Sequence, residues 1–525
     1  MPKLRLATAI TVVSGFVAGA IGGAITLHPG TAPAREQGDN PAFHQPVPRE
    51  FRSMLSQMQS SNIETTVNKL VSFGTRQTLS STTDPNRGIG AARDYIFNTL
   101  QGYAQASGGR MTVEKQTFTQ PASPNPNDRI PRDTEITNIV ATLKGGQPES
   151  ANRVYVVSGH YDSRCTGAID ATCDAPGADD DGSGVAAMME MARVMSKHTF
   201  DATIKFITVA GEEEGLYGSA HFAQDAKAHN MDIEGMLNND IIGSDTGDNG
   251  LKLPFTVRLF SEGIPTVTTP ENTSNLQNVG GESDSPAREL ARYVSEVAEN
   301  SATQMHIEQV FRRDRYLRGG DQISFLQQNT PAVRFTEPLE NFNHEHQDVR
   351  VVNGVQFGDL PRFMDFNFNN RVARVNALTL ANLADAPATP KNVRIITTNL
   401  TNDTELRWSP NSEPDLAGYE VVWRSTTDPT WTHVIPVGNV TDYTAKLSKD
   451  NVYFGVRAID KSGFRSPAAF PVPAASYARR GQSERGYRNC VKGAAARGRG
   501  GDERQSAAGP RLRCFTKSSH EEELL

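Results

Sequence analysis

The stretch VYVVSGHYD, residues 154–162, decides what fold and what chemistry this chain is expected to have. It opens with an apolar, largely β-branched run whose length suits a buried strand. The run leads directly into His160 and, two residues later, Asp162. Polar side chains at the carboxyl end of a buried strand are typical of sites in open α/β sheets. The stretch therefore predicts one strand of such a sheet with part of a site at its end.

Three further apolar runs end in the same way. FITVAG at 206–211 leads into Glu212 and Glu213, MLNN at 236–239 leads into Asp240, and AVRF at 332–335 precedes Glu337 and, further on, His344 and His346. Because the carboxyl ends of parallel strands share one edge of a sheet, these side chains are expected to lie together. Carboxylates and imidazoles gathered at one edge are typical of a zinc site.

Strand and helix patterns alternate over residues 49–382 and predict an α/β domain, with a mostly parallel central sheet flanked by helices. A Pro-rich break at 386–390 is followed by short β-type segments. They predict a small all-β sandwich at 386–476, which resembles a fibronectin type III module; some other small β-sandwich is the alternative. The remaining predictions are a signal peptide or anchor at 1–34, a linker at 35–48 and a disordered basic tail at 477–525.

The N-terminus indicates that the protein leaves the cytoplasm. Lys3 and Arg5 precede an uncharged run at 6–27, and Ala32-Pro33-Ala34 fits a cleavage site. The run is also long enough to remain as a membrane anchor. The four cysteines suit an oxidising compartment, and their positions predict two local disulfides, Cys165 with Cys173 and Cys490 with Cys514. The net charge of −7 argues against a nucleic-acid binder.

Three consecutive acids, Asp179 to Asp181, lie in the loop APGADDDGSG at 175–184. Adjacent carboxylates repel one another unless a cation compensates them, so the loop is a candidate metal site. The alternative is an N-terminal cap of the following helix, where negative charge is also favourable. Both roles are compatible, since a cap needs fewer than three acids.

Together GHYDS at 159–163, APGADDDGSG and GEEEGLYGS at 211–219 resemble the motifs of family 28 of the metallopeptidases, the co-catalytic zinc aminopeptidases. Glutamate carboxypeptidases and glutaminyl cyclases are relatives of that family. The resemblance extends over about 55–380, with the motifs in the same order. It implies two zinc ions, a peptide or protein substrate and the following roles: His160 and Asp240 as ligands of one ion, Glu213 and His344 as ligands of the other, Asp180 as the bridge, Glu212 as general base, and Asp162 orienting His160.

The last ligand has a competitor in His346. His344 is preferred because members of the family often show an acid four residues after this ligand, and Asp348 stands there.

The resemblance implies an aminopeptidase in which a zinc-bridging hydroxide attacks the N-terminal peptide bond and Glu212 moves the proton; the N-terminal segment predicts that this enzyme is secreted. A carboxypeptidase or a glutaminyl cyclase on the same fold is the nearest alternative. A non-catalytic binding protein is another, but the retention of every expected ligand argues against it. The β-module is expected to be accessory, either binding a surface polymer or spacing the catalytic domain.

Overall fold

The computed structural model describes Phe43, residues 45–125 and residues 128–474. The expected signal or anchor at 1–34, the tail at 477–525 and its two cysteines lie outside the described residues. Within them, the predicted disulfide between Cys165 and Cys173 is present, with a Cα–Cα distance of 6.6 Å. None of the helices in the described ranges is both long and apolar enough to span a membrane.

An eight-stranded mixed sheet forms the centre of the larger domain. Its strands are β1 Met111–Gln120, β2 Thr134–Leu143, β3 Arg153–His160, β4 Thr203–Val209, β5 Asp232–Asn239, β6 Thr256–Phe260, β7 His306–Val310 and β8 Ala332–Thr336. Their spatial order is β1-β2-β4-β3-β5-β8-β6-β7. The four central strands, β4, β3, β5 and β8, are mutually parallel, whereas β1 pairs with β2, β2 with β4, and β8 with β6 in antiparallel fashion. The predicted fold class is confirmed for the core of the sheet.

Helices cover both faces of the sheet, which explains why the central strands are apolar on both sides. All eight residues of β3 are buried. The helices are α1 Arg49–Ser56, α2 Ser60–Val71, α3 Ile89–Ala106, α4 Gly182–Met195, α5 Glu212–Gly215, α6 Tyr217–Ala228, α7 Pro270–Val279, α8 Pro286–Ala298, α9 Gln322–Leu326 and α10 Phe366–Asp385. Helices α4 and α10 pack on one face, and α6 and α9 pack on the other.

A two-stranded hairpin follows the last central strand. Its strands are β9 Arg350–Val352 and β10 Val355–Phe357, which pair with each other in antiparallel register. The hairpin leaves Val351 and Val355 exposed. Along the chain it lies between the His344–His346 segment and α10.

The C-terminal region is a two-sheet β-structure. One sheet contains β11 Arg394–Ile395, β12 Thr404–Arg407, β15 Asp442–Ala445 and β17 Val472–Pro473; the other contains β13 Leu416–Ser425, β14 His433–Gly438 and β16 Val452–Asp460. Side chains from both sheets, including Trp408, Tyr419 and Val456, share one apolar core. The expectation of a small all-β sandwich is met, and the likeness to fibronectin type III stays a prediction.

This β-sandwich is joined to the larger domain by buried contacts. The Arg424 guanidinium lies 2.6 Å from the carboxylate of Asp284, and the indole of Trp431 donates to Glu289 at 2.8 Å. Phe464 extends the apolar core of the larger domain, with its ring centroid 5.6 Å from that of Phe51. The sandwich is therefore packed as part of the domain.

Candidate metal centre

The carboxyl ends of the central strands bring the predicted residues together. His160 is the last residue of β3, which pairs with β4 on one side and β5 on the other. Glu212 and Glu213 follow β4 after Gly211, whose φ of +75° makes the sharp turn into α5 possible without a Cβ penalty. Asp240 directly follows β5. Three neighbouring strands thus direct their ends into one site.

Asp180 lies between two histidines, with one carboxylate oxygen toward each. Its Oδ1 is 3.1 Å from Nε2 of His160, and its Oδ2 is 2.7 Å from Nε2 of His346. The Asp180 side chain is almost fully buried. This is the arrangement that a carboxylate shared by two metal ions requires.

Two groups of possible ligands surround that carboxylate. Ligand atoms of His160, Glu212 and Asp240 lie within 4.8 Å of one another, and those of Asp180, Glu213 and His346 do the same. Imidazole nitrogens and carboxylate oxygens are the donors that zinc accepts alongside thiolates. The donor set therefore fits zinc in both groups.

The three consecutive acids divide the roles expected of them. Asp181 caps α4 by accepting from the amide of Gly184 at 2.9 Å, and its other oxygen accepts from the amide of His160 at 3.0 Å. Asp179 accepts from the amide of Gly243 at 2.6 Å. Only Asp180 faces the histidines, so the cap and the metal-site interpretations hold together, on different residues.

Asp162 connects the two groups. Its backbone oxygen lies 3.2 Å from Nδ1 of His160, and its Oδ1 lies 3.5 Å from the same nitrogen. Its Oδ2 accepts from the amide of Glu213 at 3.1 Å. A proton on Nδ1 leaves the Nε2 lone pair of His160 for a metal, so Asp162 is placed to orient that ring.

The structure brings His346, and not His344, to the centre. The ring of His344 is stacked on Phe363 with centroids 3.6 Å apart, whereas Nε2 of His346 is 3.1 Å from Oε1 of Glu213. The prediction of His344 as ligand is corrected in favour of its competitor. The backbone of His346 has a φ near +50°, which is uncommon for a residue other than glycine.

Arg334 was missed by sequence reasoning. It lies in the middle of β8, is fully buried, and places Nη2 3.0 Å from Oδ1 of Asp240. Its Nη1 is 3.2 Å from Oδ2 of Asp314, which also accepts from Gln322 at 2.6 Å. A charged residue within the apolar run AVRFT was the available signal, because a buried guanidinium requires a carboxylate partner.

Attraction between opposite charges shifts the pKa values of the ligand candidates. Burial lowers the pKa of His346, but Glu213 and Asp180 outweigh burial and raise this pKa to about 11. Burial raises the pKa of Asp180, yet His346 and His160 hold it well below its usual range. The pKa of Asp240 is likewise lowered, because Arg334 and His160 more than offset its burial. A metal ion would take the place of the protons that the imidazoles otherwise hold.

The centre lies in the wall of a cavity of about 750 Å³. Besides the ligand candidates, apolar side chains of Leu216, Ile241 and Phe342 face this cavity, as do Glu345 and four arginines, Arg129, Arg164, Arg315 and Arg318. Most of this lining is charged, with a few apolar side chains among the polar groups, and a concave site whose polar groups converge in this way can orient a substrate.

Comparisons with known proteins agree with this site. The model of peptidase family M28 matches residues 138–351. A protein of Pyrenophora teres f. teres, named "Probable zinc metalloprotease", is 50% identical over 432 residues, which are 82% of this chain and 88% of that protein. A protein of the same name from Pyricularia oryzae is 49% identical over 430 residues, with 81% of this chain and 84% of that protein covered.

Solved structures with a similar fold are more distant in sequence. The Legionella pneumophila LapA aminopeptidase aligns with a TM-score of 0.44 and 19% identity, covering 65% of this chain and 76% of its own. A Porphyromonas gingivalis glutaminyl cyclase aligns with a TM-score of 0.41 and 17% identity, covering 62% of this chain and 98% of its own. The relatives from Pyrenophora teres f. teres and Pyricularia oryzae are about half identical over four fifths of the chain, and together with the matched family model they show that the chain belongs to peptidase family M28.

Proposed function

We propose that this M28 family member is a zinc-dependent aminopeptidase that holds two zinc ions and hydrolyses the N-terminal bond of peptides or proteins. The observation that supports this proposal best is the position of Asp180 between His160 and His346, with one oxygen toward each. A carboxylate with one oxygen toward each of two imidazoles suits a pair of metal ions, whereas a single ion would need only one of these contacts. With Asp180 shared, each ion would have three donors from the protein, which leaves room for a substrate atom at each ion.

The proposed ligands follow from the geometry. His160 and Asp240 would hold one ion, Glu213 and His346 the other, and Asp180 both. Bound there, zinc would polarise the scissile carbonyl and make a water molecule acidic enough to react at neutral pH. The remaining steps belong to the side chains of this chain.

Glu212 is the proposed proton carrier. It lines the cavity, and one of its carboxylate oxygens lies within 4.8 Å of ligand atoms of His160 and Asp240, so it is close enough to the centre to exchange a proton there. Burial raises the pKa of Glu212 well above its usual range; His160 opposes this shift, and Asp240 and Glu213 add to it. A carboxylate of raised pKa accepts a proton from the attacking water and returns it to the leaving amine.

Two features of the cavity bear on which end of a peptide it holds. Glu345 is buried, and neither of its carboxylate oxygens has a hydrogen-bond partner among the described residues, so the ammonium of a free N-terminus would satisfy it. The Arg318 guanidinium lies 3.7 Å from this carboxylate, beyond hydrogen-bond distance. Arg129 and Arg164 line the same cavity and favour the second candidate, a carboxypeptidase, since a guanidinium binds a C-terminal carboxylate. We prefer the aminopeptidase because of Glu345. A buried carboxylate without a hydrogen bond is costly, and a bound N-terminal ammonium would remove that cost.

Paired peptides test this proposal. Purified protein with its zinc counted would be given one peptide with a free N-terminus and amidated C-terminus, and the same peptide acetylated and with a free C-terminus. We expect cleavage of the first only. Cleavage of the second alone would establish the carboxypeptidase, and cyclisation of an N-terminal glutamine without hydrolysis would establish a cyclase.

Glu212→Gln tests the assigned base separately. The variant keeps the size of the side chain but cannot carry the proton, so kcat should fall about 10²–10⁴-fold. Its zinc content should equal that of the unaltered protein. Full activity in Glu212→Gln would remove Glu212 from the mechanism.

Secretion is part of the same proposal. The disulfide between Cys165 and Cys173 supports it, since such bonds persist in oxidising compartments. N-terminal sequencing of the protein recovered from culture medium tests it. A chain that stays with the cells and begins at Met1 would contradict it.

A further inference from the structure

Asp359 is a buried side chain that contacts the backbone of the Asp179–Asp180 segment next to the candidate metal centre. It accepts from the amide of Asp179 at 2.9 Å and 3.0 Å through its two oxygens, and from the amide of Asp180 at 2.8 Å through Oδ2. It lies in the loop between β10 and α10, and its residue is 7% exposed. Sequence motifs did not single it out.

These bonds fix the backbone from which the Asp180 side chain extends. A bridging carboxylate must keep one oxygen toward each histidine, and a rotation of its Cα–Cβ bond breaks one of the two contacts. The neighbouring acids work against such order, because three adjacent carboxylates repel one another. The amides of Asp179 and Asp180 donate to Asp359, and these buried hydrogen bonds hold the loop in place.

The same segment of chain also carries His346. From His346 the chain passes through the β9–β10 hairpin to Asp359, and the amide of Gly358 donates to the carbonyl of Asn343 at 3.1 Å. The start of the segment is tied to the disulfide loop, since the amide of Asp348 donates to Thr166 Oγ1 at 3.1 Å. One segment therefore presents a histidine to Asp180 at one end and anchors the backbone of Asp180 at the other.

We propose that Asp359 is a positioning residue that sets the zinc affinity of the centre by holding the Asp180 backbone in its bridging position. This inference rests on the proposed function, because it requires that Asp180 binds zinc. Outer partners of metal ligands commonly change metal affinity about 10–100-fold when they are replaced. Since Asp180 is shared, both ions should be held less tightly.

The test compares Asp359→Asn with Asp365→Asn in the full chain. The side-chain amide introduced by Asp359→Asn keeps one acceptor oxygen but turns an NH₂ group toward a backbone donor. Asp365 is the matched control: its carboxylate accepts from the amides of Asn367 and Phe368, both at 2.9 Å, and caps α10. Both variants remove a carboxylate charge from the same loop, but one asparagine oxygen can keep both cap bonds at position 365, whereas Asp359 uses both of its oxygens for the Asp179–Asp180 segment.

Zinc affinity would be measured by titrating metal-free protein with zinc in competition with a chelator. The visible spectrum of the cobalt-loaded protein would report ligand geometry, and thermal unfolding would report the fold. We expect about a 10–100-fold weaker affinity and an altered cobalt spectrum for Asp359→Asn, neither for Asp365→Asn, and partial recovery for Asp359→Glu.

Three outcomes would overturn the inference. Asp359→Asn with the affinity and spectrum of the unaltered protein would remove the positioning role. Equal losses of affinity in Asp359→Asn and Asp365→Asn, with equal losses of thermal stability, would reduce it to general support of the fold. An unaltered protein that binds no zinc would overturn the proposed function, and this inference with it; the first two outcomes leave the proposed function standing.

Discussion

Replacing Arg424 by methionine should destabilise the protein, because this arginine joins the β-sandwich to the larger domain through a buried ion pair. Its Nη2 lies 2.6 Å and 2.8 Å from the two oxygens of Asp284, and its Nη1 donates to the carbonyl of Asp428 at 2.6 Å. The side chains of Arg424 and Asp284 are 3% and 0% exposed. Methionine fills similar volume but offers no donor.

The size of the loss of stability depends on the cationic partners that Asp284 keeps. Removal of one partner from a buried ion pair costs about 3–5 kcal/mol, because the other charge stays buried without compensation. Asp284 keeps one cationic partner, Arg292, at 2.8 Å. We therefore expect the lower end of the range, about 3 kcal/mol, which corresponds to about a 150-fold decrease in the ratio of folded to unfolded protein.

Urea unfolding provides the assay. The chain has three tryptophans, Trp408, Trp423 and Trp431, and all are in the sandwich, so tryptophan fluorescence follows that region alone. Far-UV circular dichroism follows the helices of the larger domain. In the unaltered protein the two signals should change together, and in Arg424→Met both should move to lower urea.

Arg407→Met is the matched control. Its guanidinium is 62% exposed and contacts Glu405 on the same strand, so its loss should change the free energy of unfolding by less than about 0.5 kcal/mol. If Arg424→Met is no less stable than Arg407→Met, the buried pair does not join the two regions. Two separate transitions in the unaltered protein would contradict the same reasoning.

Two further predictions concern other buried charges. Arg334→Met should weaken zinc binding about 10–100-fold, because Asp240 loses the cation that orients it; chelator competition measures this, and unchanged affinity would contradict it. Burial, opposed by its bond from the Asp201 amide, raises the pKa of Asp385 to about 8, so the folded protein binds its proton more tightly than the unfolded chain does. Stability from this group is present below about pH 4 and is lost as the pH rises to about 8, by up to about 1.4 kcal/mol per pH unit. Asp385→Asn should flatten that loss in denaturant titrations, and an unchanged slope would contradict the assignment.

The central strands and the residues at their ends were predictable because both signals are local. An apolar run defines each strand, and the ligand candidate comes directly after it, as with His160 and Asp240. The sheet then needs only parallel order to bring them together. The histidine that follows the fourth central strand was harder to predict. His344 and His346 differ by two residues, and the choice depends on a backbone turn in a loop that no periodic pattern describes.

Helix α10 was not predicted because its polarity conceals its burial. Its sequence contains five asparagines, and four of them, Asn369, Asn370, Asn376 and Asn382, are buried. Asn369 donates to the carbonyl of Ile242, which is distant in sequence and comes close only in the folded chain. Asn382 donates to the carbonyl of Leu378, one helical turn earlier. Buried amides are tolerated when they are hydrogen-bonded, so a polar pattern does not exclude a core helix. Asp359 and Arg334 were concealed in the same way, since their partners are distant in sequence.

The change of pattern near residue 386 suggests a separate accessory module, but the contacts argue for a different relation. Asp284 and Glu289 are buried in the larger domain, and the sandwich supplies partners to both through Arg424 and Trp431. Without the sandwich both acids would lose those partners, and Phe51 would lose the ring of Phe464 that packs against it. A module that only spaces or tethers the larger domain could be connected to it by a flexible linker and would not need such buried contacts. The boundary in the sequence therefore marks a change of secondary structure, whereas the energetic unit extends across it.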